Sequence, residues 1–134
     1  MYGYQGNNTA EAKATSNNQI YGVLYNWSAA INGEASSHSV PSGVQGVCPA
    51  GWHLPSDEEW KILEGTVDSK YPVGDPDWDE IYSRGYDAGL ILRSQTGWPN
   101  PGWDEVGFKA MPGGSYYPVE GFDFIGEYAM FWTA

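Results

Sequence analysis

Three aspartates alternate along one loop of the sequence, Asp75-Pro-Asp77-Trp-Asp79. Alternating carboxylates are a ligand pattern that Ca²⁺ favours, because this cation prefers oxygen donors. An EF-hand loop that began at Asp75 would need Gly at its sixth position and Glu at its twelfth. The chain has Glu80 and Tyr86 at those positions. The loop is therefore not an EF-hand, and two interpretations stay open: a solvated acidic loop and a weak Ca²⁺ site.

The single cysteine, Cys48, is the next group that could do chemistry, with His53 five residues further on. A cysteine becomes a nucleophile when a base or a positive neighbour stabilises its thiolate. Pro49, Gly51 and Pro55 imply no helix that would bring Cys48 and His53 together. We therefore expect Cys48 to be buried and inert, or paired with a cysteine outside this sequence.

Neither histidine belongs to a metal-binding spacing. His38 lies in a Ser-rich loop and is predicted to be solvated. His53 lies between Trp52 and Leu54, where we expect a core histidine with one hydrogen-bonded nitrogen. The sequence thus predicts no catalytic residue, no metal site beyond the weak Ca²⁺ candidate, and no cofactor.

The aromatic, Gly- and Pro-rich C-terminal third is the part most open to a binding function. Tyr, Ser, Gly and Asn are typical of adaptable recognition surfaces, and flat rings can stack on sugars or peptides. The alternative is that many of these rings form the core, which we expect of Trp27, Trp60 and Trp132 because they lie on patterned elements. The predicted ligand-binding residues are Trp98, Asn100, Trp103, Tyr116, Tyr117 and Phe122.

A helix with several agreeing sequence signals is predicted before these loops. Ser56 and Glu59 have the spacing of a capping box, and Leu54 and Trp60 have that of a hydrophobic staple. The helix is predicted over about residues 57–68. The side chains expected on its core face are Trp60, Leu63 and Val67, widened by Ile62.

Shorter patterns predict the remaining elements. Asn26 is expected to cap a short helix over residues 27–31, and residues 78–86 read as a second irregular helical segment. Residues 88–93 are apolar enough to be packed, and residues 1–19 read as a flexible N-terminal arm. The predicted strands are residues 20–25, 108–111, a turn-linked pair within 115–122, and residues 128–133.

Composition limits the class of protein. A chain of 134 residues with 16% aromatic residues is expected to fold as one domain. The net charge of −11 repels phosphate backbones and anionic membranes, so nucleic acid is not a predicted partner. No apolar run is long enough to span a bilayer, and the polar start is not a signal peptide. The chain is therefore either cytoplasmic or a mature segment without its leader.

Several blocks carry a family resemblance. The stretch Cys48-Pro-Ala-Gly-Trp-His-Leu-Pro-Ser-Asp-Glu-Glu-Trp60 resembles the signature of the Fibrobacter succinogenes major paralogous domain family, found on surface proteins and lipoproteins of Bacteroidetes-type bacteria. Its Leu-Pro-x-x-x-x-Trp core is similar to the formylglycine-generating-enzyme branch of the C-type-lectin-like fold. The further blocks, in the expected order, are residues 21–30, 104–114 and 125–134.

This resemblance implies an α+β fold of C-type-lectin-like type. It would consist of one main capped helix and a short helix, packed on small antiparallel sheets with long loops, in a single domain over residues 20–134. Family members usually continue past the Trp-[Ser/Thr]-Ala position into further strands that end near a second Cys, which implies either a C-terminal truncation or a shortened paralogue here. The predicted strand over residues 128–133 would then leave an open edge, and we expect self-association through it.

The resemblance also bears on function. The cysteine pair of formylglycine-generating enzymes has no counterpart here, and the Ca²⁺-binding triplets of sugar-binding lectins are not matched. We therefore expect a non-enzymatic, extracellular or cell-surface binding module that holds a carbohydrate or protein ligand on its aromatic C-terminal loops. The alternative is a structural surface or envelope domain without a small-molecule ligand.

Overall fold

The computed structural model describes residues 8–134, and over this range the chain is a small α+β domain. Five α-helices, one 3₁₀ helix and one antiparallel β-hairpin are connected by long loops. The α-helices are α1 (Thr9–Lys13), α2 (Ser16–Tyr21), α3 (Trp27–Ile31), α4 (Asp57–Val67) and α5 (Ala88–Leu92). The 3₁₀ helix is Pro76–Asp79, and the hairpin strands are β1 (Ser115–Tyr117) and β2 (Gly121–Asp123).

Helix α4 begins where its capping signals predict. The Ser56 hydroxyl accepts the N–H of Glu59, and the Glu59 carboxylate accepts the N–H of Ser56, which completes the capping box. The helix ends one residue before the predicted boundary. Its predicted core face is half-buried, whereas Ile62 is exposed, so the stripe is narrower than predicted.

Helix α3 and the hairpin were also predicted from local signals. The Asn26 side chain caps α3 by accepting the N–H of Ala29, and Asn32 ends the helix in the left-handed conformation. In the hairpin, Tyr116 pairs with Phe122 and Ser115 pairs with Asp123. Helix α3 has its predicted bounds, and the hairpin forms as predicted except that β2 extends one residue further, to Asp123.

Three predicted strands are wrong. Residues 20–21 end helix α2 and residues 22–26 have no regular structure. Over residues 108–111 only Ala110 pairs, in an isolated bridge with Arg93. Residues 128–133 form no strand, which removes the open edge on which the expected self-association depended. Short apolar runs do not by themselves distinguish a strand from a loop packed on other residues.

Two other predictions need correction. The irregular helical segment predicted over residues 78–86 is a 3₁₀ helix that ends at Asp79. The predicted flexible arm contains α1 and the beginning of α2, and Ala12 of α1 is fully buried. Residues 1–7 of that arm lie outside the described residues.

A small apolar cluster joins distant parts of the chain. Ile31 of α3, Val44 and Ala134 are buried together, and Leu54 packs against them. The Ala134 N–H also donates to the Pro55 carbonyl. The signature stretch before α4 is therefore held between α3 and the C-terminal residues. Within it, Trp52 is 72% exposed.

The Asp68 carboxylate connects the end of α4 to the start of α5. One oxygen accepts the N–H groups of Lys70 and Tyr71, and the other accepts those of Tyr86, Asp87 and Ala88. Burial opposes ionisation of this group, but the backbone N–H donors outweigh it and hold the pKa of Asp68 well below its usual range. Asp68 thereby sets how α5 lies against α4.

Candidate functional site

The structure separates the six predicted ligand-binding residues into three groups. Tyr116, Tyr117 and Phe122 line a large open groove. Trp98 lines a smaller cavity. Asn100 and Trp103 line neither of these, although both are exposed to solvent. The groove and the smaller cavity have none of these six residues in common.

The hairpin forms one wall of the groove. Its Tyr116 and Phe122 are cross-strand partners with ring centroids 5.0 Å apart, in an edge-to-face arrangement. Tyr117 contacts Phe124 in the same way at 6.1 Å. Such ring pairs stabilise a short two-stranded ribbon that has few backbone hydrogen bonds of its own. Tyr116 and Tyr117 remain exposed.

A second wall combines residues from near the two ends of the described chain. The Trp132 Nε1–H donates to the Tyr25 carbonyl at 2.7 Å, and the Trp27 Nε1–H donates to the Thr133 carbonyl at 3.3 Å. Trp27 and Trp132 are 41% and 47% exposed, so the prediction that they belong to the core is wrong. We call the space between this wall and the hairpin the aromatic groove. Its volume is about 1470 Å³, and its rings are Tyr25, Trp27, Trp60, Tyr116, Tyr117, Phe122, Phe131 and Trp132.

Trp60 and Phe131 line both the aromatic groove and the smaller cavity. Their ring centroids are 5.1 Å apart, and Phe108 packs edge-on against Trp60 at 6.0 Å. All three tryptophans Trp27, Trp60 and Trp132 were predicted to be core residues. The Trp60 side chain is half-buried, whereas Trp27 and Trp132 are exposed. Its Nε1–H is buried and has no hydrogen-bond partner among the described residues.

The smaller cavity, which we call the inner cavity, has a volume of about 430 Å³ and lies next to α4 and α5. Trp98 is fixed there because its Nε1–H donates to the Ala110 carbonyl at 3.0 Å. The Arg93 guanidinium lies 4.3 Å from the centre of the Trp98 ring, a cation–π contact. Trp98 is therefore a half-buried wall of this cavity rather than an exposed loop residue.

Glu64 and Arg84 are two of the four charged residues that line the inner cavity. Arg84 Nη2 lies 2.7 Å from Glu64 Oε2, and Arg84 Nη1 donates to Asp57 at 3.0 Å. The Glu64 Oε2 atom is buried, and the Arg84 guanidinium is its ion-pair partner. Burial raises the pKa of the Glu64 carboxyl, and the nearby Arg84 only partly offsets this effect.

The three aspartates of the acidic loop each have a separate structural partner. The Asp75 side chain caps the 3₁₀ helix, Asp77 accepts the Gly85 N–H, and Asp79 pairs with Lys61 at 2.7 Å. Across residues 8–134, no group of three or more His, Cys, Asp or Glu side chains is placed to hold a metal ion. The geometry therefore gives the Ca²⁺ hypothesis for this loop no support.

The cysteine and the histidine of the signature stretch have different environments. His53 Nε2 lies 2.7 Å from Glu59 Oε1, so one nitrogen is paired as predicted, although the side chain is half-buried rather than in the core. Cys48 is a free thiol and half-buried. Glu59 also accepts the N–H of Ser42. Burial raises the pKa of Glu59, but hydrogen bonds from Ser56, His53 and Ser42 outweigh it and lower the pKa overall.

Sequence reasoning missed one wall of the aromatic groove. Tyr25 and Met130 line it, and they were assigned to predicted strands rather than to a site. The available signal was the density of aromatic residues on both sides of the signature stretch. Which of them meet depends on contacts over more than one hundred residues, for example from Trp132 to Tyr25.

Comparison with known proteins identifies the family. The model of the Fibrobacter succinogenes major domain matches residues 2–134. Neither the curated proteins nor the solved structures compared with the chain contain a match. In the described part of the chain, no helix has the length and apolar character needed to cross a membrane. The chain belongs to the Fibrobacter succinogenes major domain family.

Proposed function

We propose that this member of the Fibrobacter succinogenes major domain family is a non-enzymatic binding module of the cell surface, and that its aromatic groove holds a segment of another protein. The observation that carries the proposal is the composition of the groove. Glu120 is the one charged side chain among its described lining residues, in a chain that is 17% charged. Aliphatic side chains lie beside the rings, among them Val23, Val119 and Met130.

This composition is typical of the centre of a protein interface. Such centres are depleted in charged residues and enriched in Tyr, Trp, Phe and Met. Many of the lining side chains are exposed, including Val119 at 90% and Tyr116 at 54%. An exposed apolar surface of this extent is uncommon on a protein that has no partner.

The residues that we expect to contribute most to affinity are Tyr116 and Trp132, because large exposed aromatic side chains dominate binding energies in interfaces.

Peptide selection tests this function. We expect a random peptide library displayed on phage to yield ligands that Val119→Asp weakens by about tenfold or more, because the variant places a charge in an apolar site. Val106→Asp is the matched control, since Val106 is also exposed but lies outside the groove. Tyr116→Ser and Tyr82→Ser form a second matched pair.

A glycan array run with the same variants separates the outcomes. Glycan binding that Val119→Asp abolishes, without any peptide ligand, would keep the groove as the site but overturn the protein ligand. If neither library yields a ligand that depends on the groove, the alternative of a structural envelope domain is favoured instead.

We also propose that the fold is C-type-lectin-like. Two features support this: the Leu54-Pro55 to Trp60 motif that starts α4, and the hydrogen bonds that join residues 25–27 to residues 132–133. A crystal structure in which those two segments lie apart would contradict it. Antibody labelling of intact cells that produce the protein tests the proposed surface location, and labelling only after permeabilisation would oppose it.

A further inference from the structure

The aromatic groove has no positively charged side chain among its described lining residues. All six Lys and Arg residues of the chain lie in the described part, and none of them lines the groove: Lys13, Lys61, Lys70, Arg84, Arg93 and Lys109. Two of them, Lys61 and Arg84, are held in ion pairs with acidic side chains. An anionic ligand would therefore lack a counter-ion in the described lining of the groove.

The rings of the groove are free to receive a cation. A cation is attracted to an aromatic ring within about 6 Å of the ring centre. The chain makes such contacts elsewhere, since the Arg93 guanidinium lies 4.3 Å from the centre of the Trp98 ring and Lys70 Nζ lies 4.5 Å from that of Tyr71. Over residues 8–134, no cation–π contact involves a ring that lines the groove.

The two exposed indoles of the groove offer a ligand their rings rather than their N–H groups. The Trp132 Nε1–H already donates to the Tyr25 carbonyl, and the Trp27 Nε1–H already donates to the Thr133 carbonyl. These hydrogen bonds also hold both rings in place before a ligand binds, which lowers the entropy cost of binding. The face of an aromatic ring carries partial negative charge. The indoles therefore favour a cationic group over an anionic one.

Glu120 supplies the one charge in the described lining of the groove, and this charge is negative. It lies in the hairpin turn, where it is exposed and its side chain makes no ion pair or hydrogen bond with the described residues. The chain as a whole carries a charge of −11, so its long-range field also attracts cations. The local charge and the overall charge thus select the same kind of partner.

We propose that the segment bound in the aromatic groove carries a positively charged side chain, Arg or Lys, that stacks on the exposed rings and pairs with Glu120. This inference rests on the proposed function, because it names the chemistry of the partner at the same site. Beside its cation the segment is apolar, since Val23, Val119 and Met130 complete the lining. The occupant is therefore a basic and apolar segment of another protein.

Four capped peptides that differ at one position test the charge of the partner. They have the sequence Leu-X-Leu, in which X is Arg, Lys, Glu or citrulline, the uncharged analogue of Arg. In ¹H–¹⁵N NMR titrations, the Arg and Lys peptides should shift the indole N–H resonance of Trp132 with dissociation constants of about millimolar. The citrulline peptide should bind about threefold more weakly than the Arg peptide. Added salt should reduce this difference, because it screens exposed charges.

Glu120→Gln and Glu105→Gln are matched variants. Glu105 is also an exposed acid, but it lies outside the groove, and either change alters the net charge equally. Glu120→Gln is expected to weaken the Arg peptide by about threefold and to leave the citrulline peptide unchanged, whereas Glu105→Gln should affect neither.

The ring of Tyr116 is tested in the same way. Tyr116→Leu should lower the preference for Arg over citrulline by about threefold, because it removes a ring. Tyr116→Phe should retain most of that preference, because it keeps one. An equal preference in the two variants would mean that the cation does not contact this ring.

The outcomes separate this inference from the function on which it rests. Equal binding of the Arg and citrulline peptides, tighter binding of the Glu peptide, or equal effects of Glu120→Gln and Glu105→Gln would overturn the cationic partner but keep a peptide-binding groove. Phage ligands that depend on the groove without enrichment of Arg or Lys would do the same.

The phage ligands also serve where the short peptides do not bind. Replacing the Arg of a selected ligand by citrulline should then weaken it by about threefold, and an unchanged affinity would overturn the inference. If neither the four peptides nor the phage library gives a ligand that Val119→Asp weakens, the inference and the proposed function both fail.

Discussion

The Asp68 carboxylate accepts the backbone N–H of Asp87, and the Asp87 carboxylate accepts both the N–H and the hydroxyl of Ser69, the residue after Asp68. This reciprocal pair joins the C-terminal end of α4 to the N-terminal end of α5. Residues of both helices line the inner cavity, including Glu64 and Leu92. A stability measurement on Asp68 variants therefore also reports on the junction between the two helices that line the inner cavity.

Asp68→Asn is expected to lower the free energy of unfolding by about 2–4 kcal/mol, because the amide can accept from only one of the two groups of N–H donors. Urea denaturation at neutral pH measures the change. Glu105→Gln, an exposed acid with no hydrogen bond to the described residues, should change stability by less than about 0.5 kcal/mol. Equal effects of the two variants would show that the Asp68 contacts do not matter.

Acid should destabilise the domain through the same carboxylate. Backbone donors lower the pKa of Asp68 in the folded state, and hydrogen bonds lower that of Glu59. Their contribution is complete above about pH 4, the unfolded pKa, and is lost as the pH falls below it. Glu64 has a raised pKa and acts in the opposite direction.

The difference in unfolding free energy between about pH 7 and about pH 3 is therefore expected to be smaller in Asp68→Asn than in the wild type. Urea titrations at the two pH values measure it. Parallel acid dependence in the two proteins would assign the acid sensitivity to other groups.

The two tryptophans Trp78 and Trp52 offer a matched comparison of burial. Trp78 is 1% exposed and donates its Nε1–H to the Pro72 carbonyl, whereas Trp52 is 72% exposed. Trp78→Ala should cost about 3–5 kcal/mol of stability, and Trp52→Ala less than about 0.5 kcal/mol. Thermal unfolding of both variants tests the ranking, and a larger loss for Trp52 would place it inside the fold after all.

The capping box of α4 can be tested by a double-mutant cycle. Ser56→Ala should cost about 1 kcal/mol, and Glu59→Ala more than that, because Glu59 also holds Ser42 and His53. The double variant should cost less than the sum by about 0.5 kcal/mol or more, since the two side chains act reciprocally. Strict additivity of the two losses in stability would mean that the Ser56 and Glu59 side chains stabilise the helix independently. His53→Ala separately measures the contribution of the histidine contact.

Local signals predicted those parts of the fold whose hydrogen bonds are local. The cap of α4 by Ser56, the cap of α3 by Asn26 and the Tyr116–Phe122 hairpin pair all involve residues within a few positions of each other. Residues 128–133 have the composition of a strand, but two of their hydrogen bonds link the Trp27 and Trp132 side chains to backbone carbonyls. The amino-acid composition of this segment does not indicate which of these two structures forms.

The site was predicted only in part for the same reason. The hairpin rings of the aromatic groove come from one short stretch, so aromatic density was enough to find them. Trp98 was predicted as an exposed ligand contact, but Ala110 and Arg93 hold it as the wall of a cavity. The inner cavity gave no sequence signal, because Glu64 on α4 reads as an ordinary helix residue until Arg84 is brought beside it.

The hydrogen bond from Trp132 to Tyr25 spans 107 positions of the chain, and the buried contact of Ala134 with Ile31 spans nearly as many. Long-range contacts of this kind slow folding, because the chain must close a long loop before they contribute. A ribosome making this protein will therefore have translated residue 134 before helix α3 can reach its final neighbours. Until then the nascent chain exposes its tryptophans, and chaperone demand should last until residue 134 has left the ribosome.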